Sequence, residues 1–239
     1  MGRKSTDQRL VVCDLVGQTV QREGRWEGRP VAQIRLAGCN LACKWCDVPY
    51  SWDYEGKLGI VYPAEMTSGA IAVSELIPWA RQCSRIIITG GEPLLQSEPL
   101  RTLSDSLAPS IYAHIMLEIE TNGTISPEGF GHNVRFSVSP KLSNSGNPWN
   151  KAIKPRIIAE HNHRRSDFKF VLASPRDFSE VAQLQDEFKI DSSQIWVMPE
   201  ARIISEATDK LDWITAEAEA RGWSVSTRLI SLAHEYLDI

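Results

Sequence analysis

Short apolar runs recur along the whole chain, and amphipathic stretches lie between several of them. The runs are LVVCDLV (10–16), VAQIRL (31–36), RIIIT (85–89), IMLEIET (115–121), RFSVS (135–139), FKFVLA (168–173) and IWVMPE (195–200). Each has strand length and strand composition. Between them, SGAIAVSELIPWARQC spaces Ile71, Leu76 and Trp79 toward one face of a helix, with Thr67 or Ser68 as its N-cap. PRDFSEVAQLQDEF places Pro175 in a first turn and sets Asp177 and Glu180 where carboxylates suit the helix dipole. SEATDKLDWITAEAEARG stops at Gly222. Strands that alternate with helices build parallel βα units, so the fold class is α/β, an open sheet or a complete or partial barrel. With 239 residues and no repeat, low-complexity tract or linker, the chain reads as one domain. Within it, a first strand and a cysteine-bearing loop occupy 9–58 and the βα core occupies 59–239.

The strand ends carry the chemistry. ITGGEP, EIETNG, SVSPK and VMPE all fall where an apolar run gives out. Ligands of βα folds lie at the C-terminal ends of strands, so four such endings imply one shared site. A net charge of −4 gives no global pull toward nucleic acid or an anionic membrane. The eight tryptophans are scattered, as core and lid residues are, and form no stacking platform. No apolar run approaches a bilayer span, and MGRKSTDQRL has no hydrophobic signal region, so the expected address is cytoplasmic. Gly2 and Thr6 match the loose myristoylation pattern, which six common residues also meet by accident.

Five cysteines is an odd count, and Cys39, Cys43 and Cys46 are too close together to staple a fold. Thiols in a reducing compartment point to metal or catalysis before disulfides. Cys13 and Cys83 stand in apolar contexts, as small buried hydrophobes do. A structural zinc site closes with four protein ligands, often as paired C-x-x-C knuckles. C-x-x-x-C-x-x-C has no second pair here, and the first histidine, His114, lies far downstream. An iron–sulfur cubane held by three thiolates keeps one iron open to an outside ligand. Zinc completed by a distant histidine, or three free thiols, are the competing readings. His161 and His163 in HNHRRSD (161–167) form a possible metal pair, against the plainer reading of a solvated loop before a strand.

These residues carry a resemblance. C-x-x-x-C-x-x-C with Trp45 before its last cysteine, followed by GGEP (Gly90 to Pro93), resembles the cluster loop and second motif of radical S-adenosylmethionine enzymes. TVQREGRWEGRPVAQIRLAGCNLACKWCD, ITGGEPLLQ, EIETNGT, RFSVSPKLSNSG, FKFV, WVMPE and RGWSVSTRL together resemble a 7-carboxy-7-deazaguanine synthase, particularly the actinobacterial type, from about residue 13 to 229. The resemblance implies a partial (β/α) barrel of the radical S-adenosylmethionine type, a homodimer, and an external electron donor such as flavodoxin. It implies a [4Fe-4S] cluster, S-adenosyl-L-methionine and Mg²⁺ as cofactors. The reaction it implies converts 6-carboxy-5,6,7,8-tetrahydropterin into 7-carboxy-7-deazaguanine with loss of ammonia, begun by a 5′-deoxyadenosyl radical, in 7-deazapurine biosynthesis.

By the same resemblance, Cys39, Cys43 and Cys46 ligate the cluster. Trp45, Cys46, Asp47, Gly91, Glu92, Ser139, Pro140, Lys141, Met198, Pro199 and Glu200 face S-adenosylmethionine. Val20, Gln21, Arg22, Arg35 and Thr89 meet the pterin, Arg35 by pairing with its carboxylate. Arg35 as a surface-paired strand residue, and Lys141 as a solvated loop lysine, are the plain alternatives. Three departures fall on the substrate side. Val48 stands where the family has a Thr or Ser whose hydroxyl helps hold Mg²⁺, so a water must fill that position or the site is weak or absent. Arg22 replaces a glycine in QREG, and Ile230 stands at a histidine position in a tail without its Trp–Gly pair. Two further readings follow from them: a radical enzyme for a related pterin or another anionic substrate, and a cluster-binding protein that has lost turnover.

Overall fold

The computed structural model describes residues 8–62, 68–108, 114–164, 166–229 and 232–233. Thr67, Ile230 and the myristoylation positions Gly2 and Thr6 lie outside the described residues. Among these residues nine strands form one sheet: β1 (Arg9–Val20), β2 (Pro30–Leu36), β3 (Gly69–Ala72), β4 (Arg85–Gly90), β5 (Met116–Thr121), β6 (Val134–Val138), β7 (Asp167–Leu172), β8 (Ile195–Pro199) and β9 (Ser224–Val225). Their order is β3-β1-β2-β4-β5-β6-β7-β8-β9. From β2 to β9 every neighbouring pair is parallel, while β1 lies antiparallel to both β2 and β3. This is a parallel βα sheet of the partial-barrel type with an antiparallel edge.

Among the described residues six helices accompany the sheet: α1 (Val73–Ala80), α2 (Ser97–Leu107), α3 (Trp149–Ala152), α4 (Pro155–His163), α5 (Asp177–Phe188) and α6 (Ile204–Arg221). All seven expected strands form within two residues of the expected start, although β1 runs on to Val20. Three local expectations need correction. The helix expected from Ser68 begins at Val73, because Gly69–Ala72 pair with β1 from Arg9 to Val12 as a strand. The sheet edge wins residues whose side chains alone fit a helix. Pro175 precedes α5 rather than opening it; the Asp177 carboxylate turns back to accept from the N–H groups of Ala173 and Ser174. His161 and His163 close α4 instead of forming a solvated loop, and His161 is fully buried, edge-on to Phe136. Gly222 ends α6 in the left-handed region at φ 68°.

Parallel strands buried on both faces read as continuous apolar runs. Most of these strands alternate in polarity instead, the run Ile86–Ile88 of β4 being an exception. Ile34 and Leu36, Ile86 and Ile88, Leu117 and Ile119, Phe136 and Val138, and Phe168 and Phe170 all enter the hydrophobic core shared with the helices. Their neighbours Gln33, Arg35, Thr89, Glu118, Glu120, Ser137, Asp167 and Lys169 must point to the other face, since successive side chains along a strand alternate sides. One face is packed on helices and the other is polar. That polar concave face is where a ligand site can form.

Candidate active site

Two glycines let the cysteine loop reach the end of β4. A Cβ on Gly91 would stand 2.1 Å from the Gly38 carbonyl oxygen and 2.9 Å from the Cys39 Cβ. At Gly90, φ is +135° and a Cβ would lie 2.1 Å from the Leu36 carbonyl oxygen. With both side chains absent, Gly91 N–H donates to Leu36 O and Glu92 N–H donates to Gly38 O. The Glu92 side chain is fully buried and accepts from Leu94 N–H, Thr121 Oγ1 and Asn122 N–H at 2.6–2.9 Å. Burial pushes its carboxyl upward and those three donors pull it back. Asn122 then donates to Asn40 Oδ1 at 2.8 Å, tying the end of β5 to the residue after Cys39.

The segment after β6 grips the loop from the other side. Asn147 accepts from Ala42 N–H at 2.9 Å and donates through Nδ2 to Cys43 Sγ at 3.2 Å. Lys44 N–H donates to Ser145 O, and Trp45 Nε1–H donates to Asn144 Oδ1. Trp52 Nε1–H donates to Cys46 Sγ at 3.3 Å. Burial raises the Cys39 thiol to about 11, aided by Glu92, and burial likewise raises Cys46. Three thiolates here need a compensating cationic centre. Among the described residues no three His, Cys, Asp or Glu side chains converge as a single ion requires. A cluster is larger than one ion, and sulfurs that receive N–H bonds are what an iron–sulfur cluster uses. The donor set fits such a cluster.

Cys39, Cys43 and Cys46 share one cavity with Trp45, Asp47, Val48, Gly91, Ser139 and Lys141, and with Gln21, Arg22, Arg35 and Thr89. Val20, Glu92, Pro140, Met198, Pro199 and Glu200 stand outside its lining. Met198 is fully buried, and Glu200 pairs with Lys210 at 3.1 Å. The Arg35 side chain is only 13% exposed; its Nε donates to Asp14 at 2.9 Å, and Tyr50 O–H donates to the same carboxylate oxygen. Among the described residues no partner is found for the Nη ends of its fork. Lys141 donates to Ser139 Oγ at 2.7 Å and lies 5.6 Å over the Trp45 ring. Neither residue is a solvated surface cation. Cys13 and Cys83, expected to be buried, are half-buried: Cys13 sits where the register between β1 and β2 shifts, and Cys83 in the turn after α1.

Glu23, Glu120, Lys169 and Arg228, none of them among the site residues expected from the sequence, complete the cavity's charged lining. Lys169 is 7% exposed, 2.7 Å from Glu23 and 3.5 Å from Glu120. Despite burial, those two carboxylates hold its ammonium above the ordinary lysine range. Glu23 is half-buried, and although desolvation works to raise it, Lys169 and Arg228 lower it to about 2. Arg228 meets Glu23 at 3.2 Å and Asp47 at 2.9 Å. Gln21 donates to Glu120 at 3.1 Å. Alongside Glu120, Glu118 is raised to about 7 by burial and by the charges of Glu120 and Asp167. The available signal was a charged residue inside an apolar strand run: Lys169 in DFKFVL, and Glu118 and Glu120 in MLEIET.

The 7-carboxy-7-deazaguanine synthase of Pyrobaculum aerophilum is 32% identical to this chain over 233 residues, covering 96% of each. That of Hyperthermus butylicus is 30% identical over 217 residues, covering 88% of this chain and 85% of the relative. That of Escherichia coli K12 is 28% identical, covering 93% and 96%. The crystal structure of QueE from Escherichia coli superposes with a TM-score of 0.68 at 26% identity, over 91% of this chain and 93% of that one. Streptococcus suis SuiB bound to S-adenosylmethionine shares the fold, with a TM-score of 0.51 at 15% identity, over 79% of this chain and 47% of that one. No family model matches.

Proposed function

Because the chain belongs to the 7-carboxy-7-deazaguanine synthase family, whose members are radical S-adenosylmethionine enzymes, we propose that it turns 6-carboxy-5,6,7,8-tetrahydropterin into 7-carboxy-7-deazaguanine with loss of ammonia. The observation that carries this is the meeting, in one cavity, of the three loop thiols with a cationic pocket able to take an anionic substrate. Bound there, a [4Fe-4S] cluster and S-adenosylmethionine supply reductive radical chemistry, and the protein supplies binding, orientation and shielding.

Cys39, Cys43 and Cys46 hold the cluster, with Asn147 and Trp52 donating to its thiolates. Trp45, Asp47, Gly91, Ser139 and Lys141 line the S-adenosylmethionine side, and Glu92 acts behind them as a strut between two strand ends. Met198, Pro199 and Glu200, with Val20 and Pro140, lie outside the cavity's lining, and no ligand contact is assigned to them. Arg35 takes the pterin carboxylate with a fork that Asp14 holds in place. Thr89, Gln21 and Arg22 border the same space. The Glu23–Lys169–Glu120 group fixes a charge pattern that the substrate's polar edge must match. Leu41, Val48 and Trp52 supply apolar lining that limits water.

The magnesium ion implied by the resemblance does not fit these residues. Val48 offers no side-chain oxygen, and all three cavity carboxylates already have cationic partners. No step is assigned to it. A single domain, with the cluster loop over 9–58 and the barrel core over 59–239, is supported by the unbroken nine-stranded sheet. A homodimer, a flavodoxin-type electron donor and a cytoplasmic setting complete the reading. A reducing compartment suits free thiols and an oxygen-sensitive cluster. Among the described residues no helix is long and apolar enough to cross a membrane.

Anaerobic reconstitution with iron and sulfide tests the cofactor half. One [4Fe-4S] cluster per chain should form, its electron paramagnetic resonance spectrum should shift on adding S-adenosylmethionine, and Cys43→Ala should lose both. A wild-type chain that binds zinc stoichiometrically and forms no cluster would overturn the reading.

A further inference from the structure

Arg228 is one of two described non-glycine residues with a positive φ, at 60°. Sites that hold a bulky residue in this region do so because the surroundings over-determine it, and such residues gather at active sites. Here the surroundings are Glu23 and Asp47, which clasp the guanidinium at 3.2 and 2.9 Å, while the residue is 7% exposed and lines the cavity. The neighbouring position that would carry a magnesium-binding hydroxyl is Val48. Magnesium in enzymes is held by one or two carboxylates, waters and the substrate itself.

The cavity wall contains Arg22, Arg35, Lys141, Lys169 and Arg228 against the carboxylates of Glu23, Asp47 and Glu120. Five cations face three anions. Lys169 lies between Glu23 and Glu120, and Arg228 lies between Glu23 and Asp47. A divalent ion entering here would have to displace a buried ammonium or guanidinium from its carboxylate, against the other cations of the wall. Coulomb repulsion at partly buried sites opposes this strongly.

Resting on the activity proposed above, we infer that Arg228 supplies the fixed positive charge that a divalent ion would otherwise bring, so this chain binds and turns over its anionic substrate without magnesium. Arg228 is a specificity residue here: its guanidinium, oriented by Glu23 and Asp47, meets negative charge on the bound substrate. A guanidinium suits this task because it stays charged and presents a planar set of donors.

The test uses the iron-reconstituted wild-type protein, freed of other divalent ions by a chelator and loaded with S-adenosylmethionine and 6-carboxytetrahydropterin. Mn²⁺, a paramagnetic stand-in for Mg²⁺, is titrated in and followed by electron paramagnetic resonance. The expected result is no stoichiometric Mn²⁺ site, with product formation changing less than twofold between magnesium-free and millimolar Mg²⁺ conditions. One bound Mn²⁺ per chain, or a tenfold stimulation by Mg²⁺, overturns the inference. Arg228→Met should raise KM for the pterin at least tenfold with unchanged cluster content, Arg228→Lys should recover part of that loss, and added Mg²⁺ should recover none. Equal KM in Arg228→Met and wild type sinks the role given to the guanidinium. Should Arg228→Met fail to load its cluster, the wild-type Mn²⁺ titration decides. If 7-carboxy-7-deazaguanine never forms, the activity assignment fails, while the Mn²⁺ result still decides the metal question.

Discussion

Replacing Lys169 by Met removes one buried cation, leaving Glu120 without a cationic partner among the described residues and Glu23 with Arg228 alone. Lys169 lies 2.7 Å from Glu23 and 3.5 Å from Glu120, and its side chain is 7% exposed. Breaking a buried pair by deleting one partner costs about 3–5 kcal/mol, because the remaining charge has lost its compensation. A second route to the magnitude agrees. Glu23 falls from its ordinary 4.5 to about 2 in the fold. That lowering, achieved against the opposing effect of desolvation, corresponds to about 3 kcal/mol supplied jointly by Lys169 and Arg228. A loss of about 2–4 kcal/mol lowers the Tm of a protein of this length by roughly 5–15 °C. The sign with pH follows. The Glu23 contribution is fully present above pH 4.5 and is lost as pH falls toward 2, so the gap between wild type and Lys169→Met should narrow on acidification through that window. Thermal and urea unfolding of the cluster-free chain, followed by circular dichroism from pH 7 downward, reads both effects. A Tm shift under about 2 °C at pH 7, or a gap that widens with acid, would refute the assigned burial and pairing.

Trp52→Phe deletes the N–H donor to Cys46 Sγ. An N–H bond to sulfur favours the more negative, reduced cluster, so the ratio of reduced to oxidised cluster at fixed potential should fall about threefold, close to 30 mV. A redox titration that finds an unchanged midpoint excludes this contact. Gly91→Ala places a Cβ 2.1 Å from the Gly38 carbonyl oxygen, whereas Gly69→Ala meets nothing within 4 Å. Iron content after reconstitution should collapse in the first and stay normal in the second; equal loading would show that the close approach of loop and strand is unnecessary. His161 is buried and lowered to about 4, so its neutral form is favoured in the fold and stability falls as pH drops from 6.5 toward 4. His161→Gln should shrink the stability difference between pH 7 and pH 5 by about 2 kcal/mol in urea titrations. No change would place the acid sensitivity elsewhere.

Much of the scaffold was legible because strand runs such as RIIIT and FKFVLA carry their own punctuation: apolar cores ending in glycine, proline or charge. The cysteine loop was legible for a chemical reason, since three thiols so close together have few other uses. What escaped was what depends on register. Lys169 and Glu120 look like isolated charges until the parallel sheet turns alternate residues of neighbouring strands onto one face. Arg228 joins them from beyond β9, and its bond to Asp47 spans 181 positions of chain, which no local pattern reports. Gly69–Ala72 were misread because a strand edge, not local periodicity, decides their conformation. Asn147 and Trp52 escaped for a third reason: their function lies in one N–H vector toward a sulfur, a matter of side-chain geometry.

The central claim is the reaction itself. The reconstituted protein is incubated anaerobically with S-adenosylmethionine, a reductant and 6-carboxy-5,6,7,8-tetrahydropterin, and its products are read by mass spectrometry. The account predicts 7-carboxy-7-deazaguanine together with 5′-deoxyadenosine. Formation of 5′-deoxyadenosine alone would contradict the substrate assignment, and no cleavage by a chain whose cluster is verified would contradict the enzyme.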